Sequence, residues 1–147
     1  MFNHFGIAVR DLADATLFFE RVFGLTLIQS RTVSHEYLGT LVGFPNAVAS
    51  INLLKIDEGS LLEIICWETN TFQSHSNHNI VSIWDVGAQH LCLNTKDVEN
   101  LYEALKAEDV EFMSGAPVDI LEGPNQGAKV FFIKAFGFLF IEIFQKP

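Results

Sequence analysis

Cysteine is scarce in this sequence, which contains only Cys66 and Cys92, each inside an apolar run. Two cysteines cannot provide the disulfide framework of a small secreted domain, so we expect two buried free thiols. The first residues also lack the basic start and the small-residue cleavage site of a signal peptide. These features favour a cytoplasmic protein.

Basic residues are few, and long hydrophobic runs do not occur. Nine Lys and Arg stand against eighteen Asp and Glu, and the basic residues are scattered along the chain. A net charge of −9 would repel nucleic acid and anionic lipid surfaces. No apolar run reaches the roughly 18 residues that would span a bilayer. Nucleic acid and membranes are therefore excluded as predicted partners.

Apolar residues are abundant and follow two regular periods. The 147 residues are 49% hydrophobic and include 14 Phe, enough for one domain with a sizeable core. Helical spacing after Asp11 and Asp97 predicts two helices, with Gly24 as the stop of the first. Alternation predicts strands over 2–9, 25–30, 48–56, 60–67, 87–94, 129–135 and 138–144, with a short strand from 112 onward. We interpret 31–47 as a loop with room for a short helix, and 115–127 as a Gly/Pro-rich loop.

Glu142 occupies an unusual position in the last strand. Alternation places it on one face with Phe140 and Phe144. A buried carboxylate must be protonated, paired with a cation or bound to a metal, because burying it alone costs several kcal/mol. Glu63 shares a face with Leu61 and Ile65 in the same way. Each carboxylate therefore requires a partner.

The two halves of the chain repeat one another. The segment HFGIAVRDL, which begins at His4, matches HLCLNTKDV, which begins at His90, and LLEI around Glu63 matches FIEI around Glu142. Each half reads as strand, helix and three strands, opened by a His and closed by a Glu. We predict one domain, 1–147, with modules at about 1–68 and 86–147 and a connector at 69–85.

These motifs resemble the vicinal oxygen chelate superfamily, which includes glyoxalase I, methylmalonyl-CoA epimerase, extradiol dioxygenases, and the bleomycin and fosfomycin resistance proteins. The resemblance implies an α+β fold of two βαβββ modules in tandem, forming a curled mixed sheet with the helices outside. It also implies a homodimer, a small-molecule substrate and one divalent metal ion. On this resemblance the metal ligands are His4, Glu63, His90 and Glu142.

Two imidazoles and two carboxylates suit Zn, Ni, Co, Mn or Fe as the divalent ion, and they leave two octahedral positions for water or substrate oxygens. The resemblance therefore implies a lyase or isomerase of the glyoxalase I or methylmalonyl-CoA epimerase type. Such an enzyme transfers a proton through a metal-bound enediolate of a small oxygenated substrate. Glu142 and Glu63 are the candidate catalytic bases, and the sequence does not choose between them.

Two other function classes stay open. One is a non-catalytic protein that sequesters a drug or another hydrophobic ligand, and the other is an extradiol-type Fe dioxygenase. His75 and His78 form a weaker candidate metal pair, for which a polar loop is the simpler interpretation. His35 and Glu36 fall in the irregular loop, where an acid or base could reach a substrate. We interpret Cys92 as part of a wall, and Trp67 and Trp84 as packing residues.

Overall fold

The computed structural model describes residues 3–68 and 82–147. The chain divides into two compact units, Met1–His75 and Ser76–Pro147. In the first unit the elements are β1 His4–Ala8, α1 Leu12–Phe23, β2 Thr26–Val33, α2 Glu36–Val42, β3 Ala49–Asp57 and β4 Ser60–Trp67. In the second they are β5 His90–Asn94, α3 Val98–Leu105, β6 Val110–Phe112, β7 Val118–Asp119, β8 Lys129–Ala135 and β9 Leu139–Gln145.

The first unit is a four-stranded sheet in the order β1-β4-β3-β2, in which β1 runs parallel to β4. Helix α1 begins where the Asp11 carboxylate accepts a hydrogen bond from the Asp14 N–H at 2.9 Å. It ends at Gly24, whose φ of 66° few residues with a side chain adopt. Both ends of the helix agree with the prediction. Its buried face packs on the sheet through Ala15, Thr16, Phe18 and Phe19.

Helix α2 and a longer β2 replace most of the loop predicted over 31–47. An apolar cluster joins α2 to the sheet and consists of Val33, Leu38, Ala47, Ala49 and Ile51. Gly39 lies at the tightest point, since an added Cβ would come within 2.8 Å of the Phe44 carbonyl oxygen. The short helix is therefore specified by contacts between segments, which a periodic pattern does not reveal.

The second unit is a sheet in the order β5-β9-β8-β6, with β7 also paired to β8. Helix α3 begins at Asp97, whose carboxylate accepts from the Asn100 N–H at 3.0 Å, so the predicted cap is confirmed. Two strand boundaries were wrong, and one strand was not predicted. Strand β5 begins at His90 instead of residue 87, β6 ends at Phe112 instead of beginning there, and the loop 115–127 contains β7.

The predicted α+β class is confirmed, with a mixed sheet and the predicted βαβββ order in each unit. The first unit adds α2 and the second adds β7. In the described part of the chain, no helix combines the length and the apolar character needed to cross a membrane. Of the predicted connector, residues 69–81 lie outside the described residues. That the two units form one domain stays a prediction.

Candidate functional site

Strand pairing places the predicted His and Glu residues at equivalent positions of the two units. In the first unit His4 is paired with Leu61, and Gly6 with Glu63. In the second unit His90 is paired with Phe140, and Cys92 with Glu142. Each His therefore lies on the strand beside its Glu, two residues along, and shares a sheet face with it. The repeat found in the sequence is a repeat of strand register.

His90 and Glu142 form a contact within the second unit. His90 Nε2 lies 3.2 Å from Glu142 Oε2, and the side chains are 46% and 21% exposed. The His90 ring meets the Phe132 ring edge-on at 5.5 Å, and Phe132 is the residue paired with Glu142 on β8. An apolar ring on β8 therefore lies beside the carboxylate, and its partner is an imidazole on the adjacent strand.

Cys92 contacts the same carboxylate. Partial burial, the negative charge of Glu142 and a hydrogen bond to Glu142 together raise the pKa of the Cys92 thiol to about 11. Both cysteines are free, but the prediction that they are buried was wrong, since Cys66 is half-buried and Cys92 is exposed. In β5, Leu93 faces the core, and alternation turns Cys92 to the opposite face of the sheet.

His4 and Glu63 have separate partners in the first unit. His4 Nδ1 lies 2.7 Å from Asn3 Oδ1, and Arg31 Nη2 lies 3.9 Å from Glu63 Oε2. Within residues 3–68, no ion pair joins His4 to Glu63. Sequence reasoning missed Arg31, because the predicted strand ended at residue 30.

Neither unit alone assembles a metal site among its described residues. In neither do three or more His, Cys, Asp or Glu side chains come together as a group able to hold an ion. Each unit provides one His and one Glu of the predicted set. A set of four ligands therefore requires residues of both units and stays a prediction.

The remaining candidates have local roles or lie outside the described residues. His35 precedes α2, and its ring stacks on Tyr37 with centroids 6.0 Å apart, while Glu36 is the first residue of that helix. Trp67 packs against the apolar cluster, as predicted. Trp84 is 82% exposed, so its predicted packing role was wrong. His75 and His78 fall in the segment 69–81, outside the described residues.

Comparison with known proteins gives one family. The family model of the Glyoxalase/Bleomycin resistance protein/Dioxygenase superfamily matches residues 1–123, a range that holds three of the four predicted ligands and ends before Glu142. A comparison with curated proteins found no match.

Similar solved structures carry names from the same family. A glyoxalase family protein from Bacillus cereus is similar over 99% of this chain and 93% of that chain, with a TM-score of 0.82 and 18% identity. The trypanothione-dependent glyoxalase I of Leishmania major is similar over 97% of this chain and 84% of that chain, with a TM-score of 0.63 and 17% identity. A fosfomycin resistance protein from Listeria monocytogenes, in complex with Mn(II) and sulfate, is similar over 100% of this chain and 92% of that chain. The TM-score is 0.57 and the identity 14%. Identities this low show a shared fold.

Proposed function

Because the chain belongs to the Glyoxalase/Bleomycin resistance protein/Dioxygenase superfamily, we propose that it is a metal-dependent lyase or isomerase that moves a proton on a small oxygenated substrate. One observation carries the proposal. A His and a Glu recur at equivalent positions of a parallel strand pair in both units. Two imidazole nitrogens and two carboxylates are donors that would suit one divalent ion.

We propose His4, Glu63, His90 and Glu142 as the ligands of that ion, which would be Zn, Ni, Co, Mn or Fe. The donors of the second unit fit this role, because His90 Nε2 and Glu142 Oε2 are 3.2 Å apart. Neighbouring ligands that each bind an ion at about 2.1 Å are separated by about 3 Å. The fosfomycin resistance protein from Listeria monocytogenes is in complex with Mn(II), which supports a metal in a relative of the same fold.

When bound, a divalent ion would polarise a substrate carbonyl and acidify the adjacent C–H. The protein itself would move the proton. Glu142 and Glu63 are the candidate bases that take the proton and return it. The Cys92 thiol and the His90 imidazole both contact the Glu142 carboxylate and so orient it. The Arg31 guanidinium lies 3.9 Å from the Glu63 carboxylate and partly offsets its charge.

Metal analysis and proton-exchange assays test this function. Protein purified without added metal, and protein treated with EDTA and reloaded with each of the five ions, would be assayed with methylglyoxal plus glutathione and for deuterium exchange on acyl-CoA substrates. We expect stoichiometric metal and exchange that Glu142→Gln or Glu63→Gln lowers by about 100-fold or more. Glu103→Gln, on the exposed face of α3, is the control. Absence of exchange with all five ions would contradict the proposal.

One observation favours a second function, a non-catalytic protein that binds and sequesters a small molecule. In the first unit Glu63 forms an ion pair with Arg31, and His4 forms a hydrogen bond with Asn3. Both residues therefore have a polar partner within the protein. A protein of this kind would bind aromatic cations equally well before and after EDTA treatment, and would not exchange protons on any substrate. A homodimer and a cytoplasmic location also stay predictions. Sizing chromatography tests the first, since a 16.5 kDa monomer would contradict it.

A further inference from the structure

The guanidinium of Arg31 has spare hydrogen-bonding capacity beside Glu63. Its Nη2 lies 3.9 Å from Glu63 Oε2, which is longer than a hydrogen bond, and its side chain is 48% exposed. Among residues 3–68 and 82–147, this ion pair is the one polar contact that the guanidinium makes. A guanidinium carries five N–H donors in a planar fork, so most of them are available for a further acceptor.

Strand pairing places Arg31 on the face that carries the glutamate. Arg31 is paired with Ile51, which is paired in turn with Ile65. Ile65 follows Glu63 by two residues on β4, so these two side chains project from the same face of the sheet. The contact between Arg31 and Glu63 shows that Arg31 projects from this face too. A group bound by Arg31 would therefore lie next to a candidate catalytic base.

Apolar residues share the sheet face with Arg31, because Ile51 and Ile65 lie across the strands from it and Trp67 lies two residues further from Glu63 than Ile65. Ile51 belongs to the cluster that α2 covers, and Ile65 and Trp67 pack against this cluster. Hydrogen bonds to charged groups are stronger beside apolar surface than in open water, because the local dielectric constant is lower. An anion bound by Arg31 would therefore form stronger hydrogen bonds than an anion bound by a fully solvated lysine.

Lys55 provides a matched comparison in the same sheet. It is paired with Leu61, two residues before Glu63, and so lies on the other side of Glu63 from Arg31 along the sheet. Its ammonium is already bonded to Glu58 Oε1 at 2.6 Å. Of these two cations near Glu63, Arg31 is the one with donors to offer.

We propose that Arg31 is a specificity-determining residue that binds an anionic oxygen group of the substrate, a carboxylate or a phosphate, next to Glu63. Planar carboxylate and phosphate oxygens match the two parallel N–H groups of a guanidinium. The proposal rests on the proposed function, because Glu63 belongs to the candidate site of that function. Glu63 competes with the substrate anion for Arg31, so neutralising Glu63 would leave the guanidinium free for the anion.

Calorimetric titration of the EDTA-treated full chain tests the proposal without relying on activity. The probes are pyruvate, its neutral ester methyl pyruvate, and inorganic phosphate. We expect one anion to bind, and we expect Arg31→Met to raise its dissociation constant about 10-fold or more. Arg31→Lys should weaken it less, because an ammonium keeps the charge but lacks the fork. Methyl pyruvate should be insensitive to both changes. Stronger binding of pyruvate assigns a carboxylate, and stronger binding of phosphate assigns a phosphate.

Two further variants separate anion binding from a structural role of Arg31. Lys55→Met should leave the anion affinity unchanged. Glu63→Gln should raise it several-fold by removing the competing carboxylate, whereas an arginine that serves only to neutralise Glu63 would give no gain. Circular dichroism would confirm that each variant is folded. Failure of both anions to bind the natural chain at millimolar concentration, or an equal loss in Lys55→Met, would overturn the proposal.

The outcome is separable from that of the proposed function. Metal binding and proton exchange with an Arg31→Met variant of unchanged KM would overturn the role of Arg31 and leave the proposed function standing. Anion binding that depends on Arg31, in a protein that exchanges no proton, would support the role of Arg31 and contradict the proposed function.

Discussion

The two βαβββ units share a strand register but surround their glutamates differently. In the second unit Glu142 has His90 at 3.2 Å and Phe132 opposite it on β8. In the first unit Leu53 takes the position of Phe132, and the partner of Glu63 is Arg31. The backbone therefore fixes where the carboxylate lies, and a few neighbouring side chains decide what it meets. One duplicated fold in this way places its two glutamates beside chemically different partners.

The cores of the two units differ in the same manner. Asn52 is paired with Ile64 in the first unit, and Phe131 is paired with Ile143 at the equivalent place in the second. Asn52 Nδ2 donates to Thr16 Oγ1 at 2.9 Å, and among the described residues its buried Oδ1 has no partner. Phe131 is 2% exposed, and its ring contacts that of Tyr102 at 5.0 Å. The second core is thus held by aromatic packing where the first carries a polar pair.

Replacing Phe131 and Asn52, which occupy equivalent places in the two units, should produce the largest difference in unfolding free energy. We expect Phe131→Ala to lower the free energy of unfolding by about 3–5 kcal/mol, since it leaves a cavity the size of a benzene ring. Asn52→Val should change it by about 1 kcal/mol or less, because one hydrogen bond is lost and one unsatisfied oxygen is removed. Urea unfolding followed by circular dichroism measures both. An equally large loss in Asn52→Val would show that the first core depends on its polar pair.

Metal affinity tests whether the two units contribute equally to one ion. If all four predicted ligands bind it, His4→Ala and His90→Ala should each weaken Zn²⁺ binding by more than about 100-fold, since loss of an outer-shell partner alone costs about 10–100-fold. Competition with a chelator of known affinity measures the effect. His35→Ala removes a histidine that stacks on Tyr37 and serves as the control. Loss confined to His90→Ala would assign the ion to the second unit and remove His4 from the ligand set.

The thiol of Cys92 reports on Glu142 in the absence of metal. Its pKa of about 11, against an ordinary value of 9.0, leaves it about 1% ionised at pH 9, where an ordinary thiol is half ionised. Alkylation by iodoacetamide should therefore be tens of fold slower than for an ordinary thiol, because the thiolate is the reacting form. Glu142→Gln should speed the alkylation of Cys92 only several-fold, because partial burial is the largest cause of its raised pKa.

Gly6 offers the matched position in the first unit. It is paired with Glu63 as Cys92 is with Glu142, and an added Cβ there meets no atom within 4 Å. The new thiol of Gly6→Cys should be alkylated at an ordinary rate, because the position is open and Arg31 lies beside Glu63. Mass spectrometry of the peptides distinguishes these thiols from Cys66. Equal rates at the two positions would show that the surroundings of Glu142 do not hold the Cys92 thiol protonated.

Sequence reasoning recovered the parts of the fold that local signals specify. Asp11 and Asp97 cap their helices as predicted, because an N-cap acts through a hydrogen bond within three residues. The repeat of His and Glu also appeared as equal strand registers. Helix α2 was not resolved from its loop, because seven residues around Gly39 are held by a cluster that draws on three separate segments. Local patterns contain no record of such contacts.

The four ligands proposed from the sequence stay a prediction, and the side chains that surround them in the structure were not predicted. Arg31 was missed because the predicted strand ended at residue 30, whereas β2 continues to Val33 through its pairing with β3, a separate segment of the chain. The partners of Glu63 and Glu142 likewise depend on pairings between strands.

Replacing the two helix caps should give the smallest difference in unfolding free energy between the units. This comparison tests whether the duplication extends to the energetics of the caps. Asp11 and Asp97 each accept one backbone N–H at the start of a helix, at 2.9 and 3.0 Å. Asp11→Ala and Asp97→Ala should therefore each cost about 1 kcal/mol of unfolding free energy. Asp97 also accepts from the Asn100 side chain at 2.6 Å, an exposed bond that adds at most a few tenths of a kcal/mol. Thermal melts with Asp14→Ala as the surface control measure both. A cost confined to one cap would show that the repeated sequence stabilises only one of the two helices through its first turn.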